Sequence, residues 1–349
     1  MLKYLTWLAL LLALLAIAFE LFRPPVRQVV MPSMPPPPAM IYVPELPPLQ
    51  EEEPEVKEVV RKVLVPAMSV KIPSEAHFAG ESVPLDTFYV RESFERELIV
   101  NTYFHSSTLM LMKKAHRWFP VIEPILAKNN IPEDFKFIAL IESGLDNVTS
   151  PAGASGFWQF LKGTARDYNL EVNDHIDERY YVEKATEAAC RYFLDAYNTF
   201  GNWTLVAAAF NAGPKRIRDL LKRQQVSSYY DLQIPEETNR YVYRILAVKT
   251  IFANPVTYGF HVKFDELYPQ VPTRDVVVNH SVRDLVIFAQ QNGISYKTLR
   301  IFNPWIRKDE LPNHSGRTYT LKIPEVDHLR YSTLGDEPLP DAAKSTINP

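Results

Sequence analysis

Between about residues 76 and 253 apolar side chains recur at helical spacing, so the pattern predicts a mainly helical body. The run Ser93-Phe94-Glu95-Arg96-Glu97-Leu98 begins one helix, and 107–118 makes another with Leu109, Met112 and Trp118 among its apolar positions. Pro120 is expected to interrupt that second helix, because a proline removes a backbone donor and crowds the turn before it. The helical pattern then resumes over 121–128. A third element opens at Pro132, a residue favoured at the first helical position, and runs to Glu142. Gly144 supplies its stop. Further helices are expected over 182–199, 204–212, 215–223 and 235–253, with Gly213-Pro214 separating two of them. Little before residue 260 reads as strand. After Pro255 the texture changes: Asp275-Val276-Val277-Val278-Asn279 and Tyr319-Thr320-Leu321-Lys322-Ile323-Pro324 read as strands. Helical stretches at 281–291 and 295–302 lie between them, giving a compact strand–helix–helix–strand unit. The expected fold class is mainly α, with a small α+β unit attached.

The amino-terminal pattern is different. An apolar run covers residues 4–22, broken only by Thr6 and Glu20, and is near the length that crosses a bilayer. Ala16-Ile17-Ala18 also offers a small-residue cleavage pattern. Residues 1–22 are therefore read as a signal peptide or a membrane anchor, and in both cases the body is exported to the cell envelope or periplasm. No cysteine lies in or just after the run, which excludes a lipoprotein anchor. Residues 23–75 form a proline-rich and charged linker, with an unbroken tract from Pro35 to Pro38 and the acidic run Glu51-Glu52-Glu53. Such a stretch cannot bury a core. It is either a disordered leader or an extended stalk of roughly 3 Å per residue. The remaining boundaries are a 76–105 extension, a 106–260 helical domain, a 274–325 strand–helix–helix–strand unit and a 326–349 tail.

Composition narrows the function. The chain has 349 residues, 46% hydrophobic and 23% charged, which are ordinary globular values. A formal charge of -3 leaves no polyanion footprint, so nucleic acid is not an expected partner. The single cysteine, Cys190, has no intrachain partner and no metal-ligand spacing around it, and reads as a small buried hydrophobe. There is no phosphate loop, nucleophilic serine motif or cluster of metal ligands. His175 and His280 read as structural, and no cofactor is expected.

The candidate chemistry centres on a glutamate. Phe135, Ile138 and Glu142 occupy i, i+3 and i+7 and share one helix face, so the carboxyl ends an apolar stripe at the mouth of a loop. Apolar surroundings disfavour its charged form and raise its pKa. A general acid for a glycosidic oxygen needs that property near neutral pH. Downstream, Gly153 and Gly156 allow tight turns, Phe157 and Trp158 are either core residues or sugar platforms, and Gln159 offers both donor and acceptor. A small-residue helix, Ala207-Ala208-Ala209-Phe210-Asn211-Ala212, delivers Asn211 at its end, and Tyr241 places a phenol in a later helix.

The ordered set Glu142-Ser143, Gly156-Phe157-Trp158-Gln159, Phe210-Asn211-Ala212-Gly213 and Glu237-Thr238 with Tyr241 resembles the family 1 lytic transglycosylases over roughly 106–253. The segment from about Phe78 resembles the extension of their membrane-bound D type. The resemblance implies a lysozyme-like helical catalytic domain that cuts peptidoglycan glycan strands without a cofactor. It implies that Glu142 is the catalytic acid and base and that Ser143 helps position substrate. It further implies that Gly156, Gln159, Phe210 and Asn211 line the sugar cleft and that Tyr241 lies beside the acid. The implied reaction protonates the oxygen linking N-acetylmuramic acid to N-acetylglucosamine. The muramic acid C6 hydroxyl then attacks the anomeric carbon, leaving a 1,6-anhydro end. One carboxylate suffices, whereas ordinary glycoside hydrolases use two. Asp146, Asp174, Asp177 and Glu237 are candidate second groups, with capping and surface pairing as their alternative roles. The chain departs from the family in having Phe210 where tyrosine is usual and Lys162 where proline is common.

In the carboxyl-terminal unit, Leu285, Ala289, Gly293, Leu299, Asn303-Pro304 and Leu321-Lys322-Ile323-Pro324 resemble a degenerate LysM module, a glycan-binding fold. The usual Gly-Asp-Thr opening is replaced by Val282-Arg283-Asp284, which leaves open a structural remnant or a wall anchor. Two other functions stay open for the whole chain: a hydrolytic goose-type lysozyme, and a non-catalytic peptidoglycan-binding scaffold.

Overall fold

The computed structural model describes residues 68–314, 316–331 and 334. The apolar run at 4–22, the linker up to residue 67 and the last fifteen residues lie outside the described residues. Among the described residues no helix is long and apolar enough to cross a membrane.

The chain enters through a small hairpin, β1 (His77–Phe78) and β2 (Glu81–Ser82). Its turn places Ala79 and Gly80 at positive φ, the backbone that tight two-residue turns require. These strands escape the sequence pattern because two residues are too few to show alternation. Eight helices follow: α1 (Phe88–Tyr103), α2 (His105–Lys128), α3 (Lys136–Ser143), α4 (Lys162–Asp167), α5 (Val182–Phe200), α6 (Trp203–Ala212), α7 (Pro214–Gln224) and α8 (Glu236–Ala253). The expected helical body is therefore present, with two corrections. The first helix begins at Phe88, five residues before Ser93. And α2 runs unbroken through Pro120 and Pro124. Its buried stripe of Thr108, Met112, Ala115, Phe119, Ile122 and Leu126 continues across both prolines, which face solvent. Water can satisfy the carbonyls they leave unpaired, and tertiary packing of the apolar stripe outweighs the local cost.

Helix α6 lies at the centre, with Thr204 through Ala209 all buried. Its alanines admit α5, α7 and α8 at close range. Two groups satisfy its first amides. Asn202 accepts from the Leu205 amide (2.9 Å), and the Glu81 carboxylate accepts from the amides of Trp203 (2.6 Å) and Thr204 (2.9 Å). A carboxylate at a helix amino terminus also complements the helix dipole. The amino-terminal hairpin is thereby fastened to the core helix.

The carboxyl-terminal unit consists of β3 (Thr273–Val278), α9 (Leu285–Gln291), α10 (Tyr296–Phe302) and β4 (Tyr319–Pro324). The strands pair antiparallel with Val276 opposite Leu321. Helix α9 starts at Leu285 rather than 281, because Asp284 caps the amides of Val286 and Ile287. Buried Asn303 ties α10 to β4 by donating to the Lys322 carbonyl and accepting from its amide, both at 2.8 Å. The apolar cluster of this unit also contains Ile176, Tyr180 and Tyr181 from the helical body. Backbone bonds extend the seam, with Asp177 N donating to Trp305 O (2.8 Å) and Arg307 N to His175 O (2.7 Å).

Candidate active site

Helix α3 carries Glu142 near its carboxyl end. Phe135 and Ile138, on the same face, are fully buried, each contributing about 1.5–3 kcal/mol of burial. Gly144 and Leu145 then both adopt positive φ and turn the chain out of the helix. The Ser143 Oγ lies 3.1 Å from the Ala139 carbonyl oxygen and 3.0 Å from that of Phe157, and it accepts from the Leu145 amide (3.1 Å). The serine thus pins the end of α3 to the loop before α4.

The Tyr241 phenol, fully buried on α8, donates to Glu142 Oε1 at 2.6 Å. Burial holds the Glu142 carboxyl above the ordinary carboxylate range. The Tyr241 hydrogen bond and the Arg244 charge oppose that shift, the Glu237 charge reinforces it, and burial dominates. Burial likewise pushes the Tyr241 phenol well above its usual value, so it stays protonated and can only donate to the carboxylate.

The loop from Val148 to Phe160, which Ser143 joins to the end of α3, is folded on itself by bridges from Ser155 to Thr149 and Phe160. Gly156 has φ +76°, and a Cβ there would overlap the Arg179 carbonyl oxygen, so glycine is demanded twice over. Gln159 is also at positive φ (47°). Its amide nitrogen donates to the carbonyls of Gly156 (2.8 Å) and Val148 (3.2 Å), while its side-chain oxygen has no partner among the described residues. Phe157 and Trp158 are core residues: both are fully buried, and Trp158 Nε1 donates to Thr186 Oγ1 (2.9 Å). Phe210 packs against Phe160 (ring centroids 5.7 Å), Tyr192 (5.2 Å) and Phe193 (5.2 Å), so an aromatic ring at this position serves packing. The side chain of half-buried Asn211 has no hydrogen bond among the described residues, which leaves its amide group available to a ligand.

The candidate second carboxylates separate by environment. Asp177 is buried in a bidentate pair with Arg179 (2.9 and 2.7 Å) and caps a short helical turn. Asp146 pairs with Lys114. Asp174 and Glu237 are exposed, and of the four only Glu237 acts electrostatically on Glu142. His175 bonds Glu310, and Cys190 is buried with its thiol pushed up to about 12 by burial, so it stays protonated. Among the described residues no group of histidine, cysteine and acidic side chains could hold a metal ion.

Two supporting groups escaped the sequence. Arg179 donates to the carbonyls of Gly153 (2.8 Å) and Phe160 (3.0 Å), bracing the loop that carries Gly156 and Gln159. Glu97 of α1, 1% exposed, accepts from Arg240 Nε (2.6 Å) and lies 3.9 Å from Arg244 Nε, on the helix that presents Tyr241. The arginines at i and i+4 flanking Tyr241 were a visible signal. Glu97 is 143 residues away and gave none.

Residues 119–233 match the transglycosylase SLT domain, and residues 274–327 match the soluble lytic transglycosylase C-terminal LysM-like domain. The membrane-bound lytic murein transglycosylase D of Escherichia coli K12 is 29% identical over 262 residues, covering 71% of this chain and 55% of that protein. The same protein from an O6:H1 strain matches equally. The chain spans about half the length of these curated relatives. Among solved structures, the 70 kDa soluble lytic transglycosylase of E. coli is 20% identical with a TM-score of 0.35, over 50% of this chain and 32% of that one. The lytic transglycosylase Slt of Pseudomonas aeruginosa, solved as an inactive variant, is 19% identical with a TM-score of 0.32, over 52% and 35%. Residues 119–233 are thus similar to a transglycosylase SLT domain, and residues 274–327 to a LysM-like domain of the soluble lytic transglycosylase type.

Proposed function

We propose that the protein is a peptidoglycan lytic transglycosylase that cleaves the β-1,4 bond between N-acetylmuramic acid and N-acetylglucosamine. The observation that carries this reading is the half-buried Glu142 carboxyl, raised in pKa and hydrogen-bonded by Tyr241. Protonated Glu142 gives its proton to the glycosidic oxygen as the C1–O4 bond breaks. The Tyr241 donor and the Arg244 charge then stabilise the carboxylate that forms. That carboxylate takes the proton of the muramic acid C6 hydroxyl as its oxygen bonds to C1, which regenerates the acid and leaves a 1,6-anhydro end. One carboxyl serves both steps and no water is consumed.

In this reading Asn211 and the free Gln159 oxygen contact the sugars directly. Gly156 and Phe210 shape the wall, and Ser143 acts through the loop that its hydroxyl pins. Domain limits of 106–260 and 274–325, an exported body in the cell envelope, and attachment through residues 1–22 complete the proposal. The relatives' description as membrane-bound supports that last point.

Exposed Glu237 favours one competing reading, because a second carboxylate near the acid could activate water as in a hydrolase. Mass spectrometry of purified peptidoglycan digested by the chain and by Glu142→Gln separates the two. Anhydro-muramic ends from the parent alone are expected. Reducing ends would make the protein a hydrolase, and an equal yield from the variant would remove Glu142 from the chemistry.

A further inference from the structure

At the seam between the helical body and the LysM-like unit lies an open groove of about 440 Å³, lined by α4, the 171–176 segment and Pro312, His314 and Tyr319. Its walls are held at fixed spacing. The Arg166 bond to the Val172 carbonyl joins α4 to the 171–176 segment, and the Ile176–Ile306 bridge, the His175–Glu310 contact (3.1 Å) and the backbone bond from Arg307 to His175 fasten that segment to the LysM-like unit. Glu171, on the floor, is fully occupied: it accepts from Asn173 (2.8 Å), Arg317 (2.8 Å) and Tyr319 (3.0 Å). The other charges are not matched. Lys162 and Arg166, one turn apart on α4, both face the groove. Arg166 spends one nitrogen on the Val172 carbonyl (2.5 Å), while the side chains of Lys162, His314 and Asp174 have no hydrogen bond or ion pair among the described residues.

Helix stability does not account for Lys162. A cation in the first turn opposes the helix dipole, and Lys162 opens α4. The groove therefore offers two unneutralised cations opposite one unneutralised carboxylate, in a frame that does not collapse onto them. Its complement is a short ligand with several carboxylates and an ammonium group. Peptides hanging from peptidoglycan strands have that chemistry. Distance agrees. Gln159 and Lys162 are three positions apart, so their Cα atoms are at most about 11 Å apart, and a five-residue peptide extends about 17 Å.

We propose that this groove binds the stem peptide of a glycan strand held in the Glu142 cleft, with Lys162 and Arg166 on its carboxylates and Asp174 on its ammonium group. The inference rests on the transglycosylase reading of the cleft. The test uses the full chain and two soluble substrates: glycan strands carrying their stem peptides, and the same strands stripped of them by an amidase. Lys162→Gln/Arg166→Gln is expected to raise KM on stem-bearing strands about 10-fold, the loss of charge-assisted hydrogen bonds, and to leave stripped strands unchanged. Lys162→Glu, which disturbs no contact of the fold, is expected to do the same alone. An unchanged KM on stem-bearing strands, or an equal rise on both substrates, overturns the groove. Binding of both substrates to full-length Glu142→Gln separates this failure from failure of the function itself. Stem-dependent binding by a chain that cuts neither substrate would keep the groove and overturn the transglycosylase reading. Stem-independent binding would overturn the groove alone.

Discussion

Desolvation favours the protonated form of half-buried Glu142, and that preference has a stability signature independent of activity. Its pKa is raised in the folded chain, whereas an unfolded glutamate ionises near about 4.3. Between those values the folded state binds more protons than the unfolded one, so stability falls as pH rises through the window. Below the unfolded value the penalty is absent, and above the folded value it is complete. Glu142→Gln removes the ionisation and keeps the shape. The variant should therefore melt at a higher temperature than the parent at neutral pH, with the gap closing as pH falls toward 4. A gap independent of pH would mean that Glu142 is not perturbed. Glu142 was legible in the sequence as a candidate acid because Phe135 and Ile138 share its helix face and the later motifs follow in order. Its neighbours were legible only where they sat in those motifs. Tyr241 could be named, but the buried Asp177–Arg179 pair and Glu97 depend on contacts the chain makes only after folding.

Between residue and domain, the 148–160 loop shows how an element can be rigid without regular structure. Arg179 holds it from one side through the Gly153 and Phe160 carbonyls, and Ser143 from the other through Phe157. The two glycines of the loop separate backbone strain from crowding. Both have positive φ, but a Cβ at Gly153 meets nothing within 4 Å, while one at Gly156 overlaps the Arg179 backbone. Gly153→Ala should cost about 1 kcal/mol, the conformational penalty alone. Gly156→Ala should cost about 3 kcal/mol or more and displace Gln159. Urea midpoints of the two variants measure the difference, and equal losses would show that the Arg179 strap yields. Element types followed well from hydrophobic spacing, since a helix of ten or more residues repeats its stripe several times. The errors fell where that repetition fails. A two-residue strand has no period, and Pro120 is a local breaking signal overruled by a buried stripe that spans it.

At the scale of the molecule, sequence pattern located the LysM-like unit but gave no sign that it shares a core with the helical body. Trp305, 1% exposed, lies at the join, stacked on Tyr181 of the body (5.5 Å) and on Tyr319 of its own unit (5.7 Å). The next residue, Ile306, bridges to Ile176, and the Tyr181 phenol donates to the Thr320 carbonyl (3.1 Å). A module hung on the body as an independent wall anchor would unfold by itself. A shared apolar cluster instead couples the two, because opening either side exposes Ile176, Tyr180 and Tyr181. The segment that docks the unit, residues 175–181, also contains Asp177 and Arg179, so the join reaches the cleft loop through two side chains. Trp305→Ala removes the ring from both stacks and should cost about 3–5 kcal/mol. Coupling predicts that helical circular dichroism and tryptophan fluorescence fall together in one urea transition, displaced to lower urea in the variant. Under the proposed function it also predicts slower turnover of soluble glycan, because the Arg179 brace loses its backing. Two separate transitions, with only the smaller displaced and turnover unchanged, would make the unit an appendage and leave the cleft to the helical body alone.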